Sequence, residues 1–187
     1  MNQISKLLCL SPALFSIIAL GCGTSSNPDD VPDLNTNPTL IVEGFPNGGA
    51  IPQRHTCDGE DSSPAIEMKF ISDAAQSLVL IVDDPDAPMG TWNHWILYDL
   101  PPNTTTLPEK YAPPSNVKTG ANDFGRSIYS GPCPPAGAPH RYFFRLYALS
   151  VDTLGLLAGA TRAQVDSAME GRVIAEYPLE YMGTYGR

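Results

Sequence analysis

The sequence predicts a mainly β protein, an antiparallel β-sandwich of short strands with one or two short helices in its C-terminal half. Three observations carry that expectation. Five short apolar runs are rich in Val, Ile, Tyr and Phe. Turn clusters such as Pro46-Asn47-Gly48-Gly49 and Pro101-Pro102-Asn103 separate them. Helical spacing appears convincingly in one place only, and many short strands joined by Pro-rich turns is how a two-layer β architecture reads.

The expected strands, in order, are residues 40–42, 65–70, 77–83, 94–100 and 140–150. In the last of these, alternation puts His140, Tyr142, Phe144, Leu146 and Ala148 on one face and Arg141, Phe143, Arg145 and Tyr147 on the other. The helix follows. Thr161-Arg162-Ala163-Gln164 has the form of a capping box, Val165, Ala168 and Met169 recur at helical spacing, and Gly171 can stop it. A final strand is expected over 172–181.

Ahead of this domain lie two segments of different character. Residues 1–6 carry Lys6 as their only charge, and 7–21 are apolar but interrupted by Pro12. Fifteen residues fall short of the roughly 20 that span a bilayer, so the segment reads as a secretory signal. It ends Ile18-Ala19-Leu20-Gly21-Cys22, which resembles a bacterial lipobox and implies a mature chain beginning at lipidated Cys22; a plain signal-peptidase site nearby, or no cleavage, is the other reading. Residues 22–38 are polar, contain three Pro, and cannot bury enough surface to order themselves. Extended, such a tether reaches roughly 50 Å. The expected location is therefore the bacterial cell envelope, lipid-anchored, with one domain over 39–187. Without residues 1–21, ten bases face twenty acids and the net charge is −10. That surface argues against nucleic acid or a bulk anionic bilayer as partner.

Cys9 and Cys22 belong to the leading segments, so the domain keeps an even pair, Cys57 and Cys133. Export favours a disulfide between them, although spacing does not show that they meet, and two separate buried thiols is the other reading. There is no CxxC, so neither a zinc ribbon nor a redox motif is expected, and no metal or cofactor is implied.

Two segments carry the chemistry. Asp84-Pro85-Asp86-Ala87-Pro88 precedes His94-Trp95, and Gly131-Pro132-Cys133-Pro134-Pro135 precedes His140-Arg141-Tyr142. Pro fixes φ and removes a donor, so both are stiff loops beside a strand. Each leads into a run beginning with His, and together they have the character of two walls of one small polar pocket. Asp84 has a structural alternative, an Asx-turn. Asp86 is the favoured lining carboxylate. Tyr142 shares a face with His140, its ring in the core and its hydroxyl at the wall. His55 has no such company and is expected to be structural.

These motifs resemble the phosphatidylethanolamine-binding protein family, the family of Raf kinase inhibitor protein, and in particular its small bacterial members. The resemblance covers essentially all of 39–187. It runs through Ile51-Pro52, His55-Thr56-Cys57-Asp58-Gly59-Glu60, Ser63-Pro64, the two segments above, Asn122-Asp123-Phe124-Gly125 and Gly183-Thr184-Tyr185. Met68 stands where these proteins usually carry Trp, and Ser130 precedes Gly131 where Gly is common. The resemblance implies a β-sandwich whose pocket, at one end, takes phosphate, phosphorylethanolamine or a lipid headgroup. Carried over residue by residue, the lining is Asp84, Asp86, His94, Gly131, Pro132, His140 and Tyr142. Imidazole, phenol and backbone N–H groups can donate to phosphate oxygens, and a carboxylate can receive an ammonium. Two other classes remain: a regulatory protein, such as a protease inhibitor, acting through surface loops, and a hydrolase using an Asp/His pair. No GxSxG elbow, HExxH or P-loop supports the second, so an enzyme is not expected.

Overall fold

The structure, a computed structural model, describes residues 37–187. The signal-like segment, Cys22 and the tether up to residue 36 lie outside the described residues. Nine regular elements follow in chain order: β1 (Thr39–Val42), β2 (Ile66–Lys69), β3 (Ser77–Asp84), β4 (Trp92–Leu100), β5 (Thr106–Leu107), β6 (Lys118–Thr119), β7 (His140–Leu149), α1 (Arg162–Met169) and β8 (Leu179–Tyr185). A short 3-10 turn, Gln53–His55, precedes β2.

β3 organises the rest. All eight of its residues are buried, and an uninterrupted apolar run needs cover on both faces. It lies at the centre of a five-stranded sheet, β6-β4-β3-β7-β8, while β1-β2-β5 form a smaller one. Every ladder is antiparallel. Between the sheets, Leu78, Leu80 and Val82 pack with Leu40, Val42, Ile66, Met68, Trp95, Leu97, Phe144 and Leu146. On the opposite face, Val79 and Ile81 pack with Ile96, Tyr98, Leu149 and the Val165 and Met169 side chains of α1. The architecture is the expected β-sandwich with one helix laid on the back of the larger sheet. The alternation read from residues 140–149 also holds: Tyr142, Phe144, Leu146 and Ala148 are buried, while Phe143, Arg145 and Tyr147 are partly exposed.

α1 begins as its sequence dictates. Thr161 Oγ1 accepts from the Gln164 backbone N–H at 3.3 Å, and Gln164 Oε1 accepts from the Thr161 N–H at 2.9 Å, which satisfies two otherwise orphaned donors. The last strand differs from its expected range of 172–181. Pro178 has no N–H to give a ladder, and β8 starts at the next residue, Leu179. The preceding stretch turns instead: Arg172 N–H donates to Met169 O and Tyr177 N–H to Ile174 O. β5 and β6, two residues each, are too short to leave a periodic signal.

β4 carries two irregularities that matter for the site. Opposite β3 the register runs Val82↔Trp95 and then Asp83↔Asn93, so His94 is an extra residue, a β-bulge. A second extra residue falls between Leu97 and Leu100, where Asp99 has a positive φ of 56°. Asp99 spends its carboxylate on the Leu154 N–H at 2.8 Å and the Thr153 hydroxyl at 3.0 Å.

The end of β3 places two acids on opposite faces. Asp83 turns to the α1 side, where it meets Arg145 and, at 3.0 Å, Arg162 Nη1. Arg145 also holds Glu180 at 2.7 Å and Arg162 holds Asp166 at 2.8 Å. Removing one member of a buried ionic group leaves the others uncompensated. Asp83→Ala is therefore expected to cost about 3 kcal/mol, at the low end for buried pairs because Glu180 and Asp166 still hold the guanidinium groups. Thr161→Ala, which removes only a helix cap, is expected to cost about 1 kcal/mol. Urea unfolding of the two variants checks both magnitudes and their order.

Candidate functional site

Where β3, β4 and β7 reach the same end of the sandwich, a cavity of about 300 Å³ opens. It is lined by Asp84, Ala87, Pro88, Met89, Trp92, His94, Phe124, Cys133, Pro134, Pro135, His140 and Tyr142. That volume is the low end of small-ligand pockets and equals the share of liquid held by about ten waters. Four polar side chains converge among apolar ones.

Asp84, on the β3 face opposite Asp83, uses both oxygens. Oδ1 accepts from the Asp86 N–H at 2.8 Å, an Asx-turn that shapes the Pro-rich loop. Oδ2 receives His140 Nδ1 at 2.7 Å. The two readings of Asp84 are therefore both realised. Because a carboxylate only accepts, the His140 proton sits on Nδ1 and its Nε2 is the position left for an occupant. His94 is held in the same way: Nδ1 donates to the Ser130 carbonyl at 2.6 Å. Burial pushes its imidazole below the ordinary 6.5, against the opposing pull of that carbonyl and of the Asp84 charge. The His94 ring stands edge-on to Tyr142 at 5.2 Å and to Phe124 at 5.3 Å. Tyr142 presents a buried hydroxyl without a hydrogen-bond partner. Burial, and then the nearby Asp84 charge, raises that hydroxyl well above its usual value, so it stays protonated.

The bulge explains how His94 gets there. In an unbroken strand it would share a face with Ile96 and Tyr98, which pack under α1. The extra residue lets Trp95 keep its place in the inter-sheet core while His94 turns into the cavity. His94 is consequently the third residue of β4, rather than its first, as the sequence had implied.

Three expected lining residues take other roles. Asp86 does not line the cavity. Its carboxylate is clasped by Arg141, with Nε at 2.9 Å, Nη2 at 2.7 Å and the backbone N–H at 2.9 Å, a bidentate fork that answers the whole group. Gly131 and Pro132 are buried behind the wall. The Gly131 N–H, expected to face an anion, donates instead to Asp61 Oδ1 at 2.6 Å. A Cβ at Gly131 would collide with the His55 carbonyl oxygen, so the residue is there for close approach of two loops. His55 is structural as expected: it is buried, and its Nδ1 bonds the Ser62 carbonyl at 2.9 Å. Cys57 and Cys133 are joined, with Cα atoms 5.4 Å apart.

Sequence reasoning missed the aromatic and apolar part of the wall. Phe124 reaches it through Asn122, whose Nδ2 donates to Ile128 O at 2.9 Å and Ser130 Oγ at 3.0 Å while Oδ1 accepts from the Phe124 and Arg126 N–H groups. This loop hub lays Phe124 against Trp92 at 5.6 Å and beside His94. The Asn122–Gly125 motif was the available signal, but nothing in it says which way the ring points. Among the described residues, no group of three or more His, Cys, Asp or Glu is placed to hold a metal ion.

Comparison with known proteins agrees with this fold. A family model for phosphatidylethanolamine-binding protein matches residues 42–185. A UPF0098 protein of Aquifex aeolicus is 48% identical over 152 residues, 79% of this chain and 88% of the relative. A second, from Pyrococcus horikoshii, is 41% identical over 181 residues, 93% of this chain and 87% of the relative. The crystal structure of a Chlamydia trachomatis phosphatidylethanolamine-binding protein homologue superposes with a TM-score of 0.74 at 39% identity, covering 81% of this chain and 99% of the other. An E. coli member of the mammalian PEBP family gives 0.75 at 26% identity, with coverage of 81% and 99%.

The Asp86–Arg141 clasp has a measurable signature. Arg141 holds the Asp86 carboxyl down from 3.8 to about 2. A depressed carboxyl stabilises the fold fully above its unfolded value and loses that contribution as pH falls through the folded one. NMR titration of Asp86 is expected to show a midpoint near 2 in the wild type and a return toward the ordinary value of about 4 in Arg141→Ala.

Proposed function

The chain belongs to the phosphatidylethanolamine-binding protein family, and from that premise we propose that it is a non-enzymatic binding protein for a small phosphorylated or anionic ligand. Phosphate, phosphorylethanolamine or a lipid headgroup is the ligand class. The observation that carries this reading is the unpartnered, buried Tyr142 hydroxyl set between two imidazoles whose Nδ1 atoms are already tied down. A buried polar group without a partner is costly; an oxygen-rich occupant satisfies the Tyr142 hydroxyl, and it accepts from an Nε2 where that ring is protonated on binding. Met89, Trp92 and Phe124 supply apolar and aromatic surface suited to the alkyl and ammonium part of phosphorylethanolamine. In the same proposal Cys22 is the acylated N-terminus, the polar tether holds the domain off a bacterial envelope membrane, and no nucleic acid is bound. Mass spectrometry of the native N-terminus tests the anchor: an unmodified Cys22 or cleavage elsewhere removes it.

Titration calorimetry with phosphorylethanolamine tests the pocket. His94→Ala and His140→Ala each remove one ring able to donate to a charged ligand and are expected to weaken binding by roughly 1.5–3 kcal/mol. His140→Ala also takes a partner from the buried Asp84, so circular dichroism first establishes that each variant is folded. Equal affinity in wild type and both variants would place the ligand elsewhere. Release of inorganic phosphate in the same samples would favour a hydrolase built on the Asp84–His140 pair instead.

No Lys or Arg lines the cavity, and Asp84 brings a negative charge to it. A bound dianion therefore needs a protonated imidazole, and burial holds His94 below 6.5 when the pocket is empty. Anion binding favours the protonated ring and proton uptake accompanies it. Affinity for sulfate, which stays a dianion throughout this range, is thus expected to rise as pH falls below 6.5 toward the lowered His94 value. The slope is reduced in His94→Ala; a flat profile in the wild type argues against a role for His94.

A further inference from the structure

We propose that the Cys57–Cys133 bridge is a thiol-exchange site, opened by a small thiol that attacks Cys57 and expels Cys133 into the wall of the cavity. Four observations lead there. Both cysteines are exposed, so a thiol can reach the bond from solvent. Their surroundings are unequal. The Arg187 guanidinium lies beside the Cys133 sulfur, with Nη1 at 3.8 Å, on the Cys133 side of the bond. A cation next to one sulfur stabilises its thiolate and makes it the better leaving group. Arg187 itself is held in place, its Nη2 on Asp58 Oδ1 at 2.6 Å and its carbonyl accepting from the Gly137 N–H at 3.3 Å.

The joined loops also have other ties. Cys57 N–H donates to Pro132 O at 3.1 Å, the Tyr129 hydroxyl to His55 O at 2.8 Å, and Gly131 N–H to Asp61 Oδ1 at 2.6 Å. The bond can therefore open while the loops stay docked. Finally, Cys133 is a lining residue, so its release changes the charge of the cavity wall.

The step balances simply. The sulfur of an incoming thiolate bonds to Cys57 Sγ, the Sγ–Sγ bond breaks, and its electron pair leaves on Cys133 Sγ as thiolate. A second thiol then frees Cys57 and carries away the reductant as its own disulfide, so two thiols are oxidised and one protein disulfide is reduced.

Brief exposure of the folded protein to millimolar 2-mercaptoethanol, acid quenching, alkylation and peptide mapping tests the direction of opening. The expected result is a mixed disulfide on Cys57 with alkylated Cys133, several-fold over the reverse, and a ratio near one in Arg187→Gln. An adduct shared equally or resting mainly on Cys133 in the wild type overturns the proposal, as does an unchanged ratio in R187Q or a bond that stays closed for hours. A Cys57→Ser variant gives an independent reading. Its Cys133 thiol is expected to titrate below the ordinary value of about 8.5 and to move back up when R187Q is added. A C57S chain that fails to fold would show that the loops depend on the bond, and would also overturn the proposal.

Discussion

Two adjacent buried carboxylates, Asp83 and Asp84, set the terms for this molecule. Strand alternation sends them to opposite faces of the larger sheet, and neither can stay ionised in the interior without partners. On one face the answer is Arg145 and Arg162, which tie β3 to β7 and α1. On the other it is the His140 imidazole and the Asp86 N–H. The electrostatic need on the first face fixes how β3 ends; the need on the second fixes the ring that points into the cavity. Structural compensation and site geometry are thus the same problem solved on two sides of one strand.

The cavity is a preorganised one. His140 is oriented by Asp84, His94 by Ser130, and Ser130 in turn by Asn122, so the rotamers facing the cavity are fixed by the fold itself. The Arg141 fork on Asp86 does comparable work for the outer loop, holding the backbone that carries Ala87, Pro88 and Met89 along one wall. Asp86 and Gly131 therefore shape the pocket without facing it.

Much of the frame was legible in the residues. Continuous apolar runs and period-two alternation reveal β3 and β7 because burial imposes those patterns on side chains. The capping box reveals α1 because its bonds are local. The site was less legible, for the opposite reason. Which way His94 points depends on one extra residue in a ladder with a distant strand, and alternation alone would turn it to the α1 face. Asp86 reads as a free pocket acid until Arg141, 55 residues later, is seen to take it. Phe124 reaches the wall through a loop built on one side-chain hub, which leaves no periodicity at all. Pairing chemistry could be read; its long-range assignment could not.

The partners of Asp83 have a consequence for the order of assembly. Arg145 lies 62 residues beyond it and Arg162 lies 79 beyond it. The edge strand β8 then closes onto the start of the domain, where Ile51 N–H donates to Thr184 O at 2.8 Å and Thr184 N–H to Gly49 O at 2.8 Å. Without those later partners, a β3–β4 hairpin has its terminal acids uncompensated and its apolar faces open. Completion waits for contacts that are mostly non-local, which slows folding by topology and lengthens the time during which bare strands are exposed to association. Charged residues at the end of an apolar strand oppose such association, and Asp83 and Asp84 occupy that position on β3.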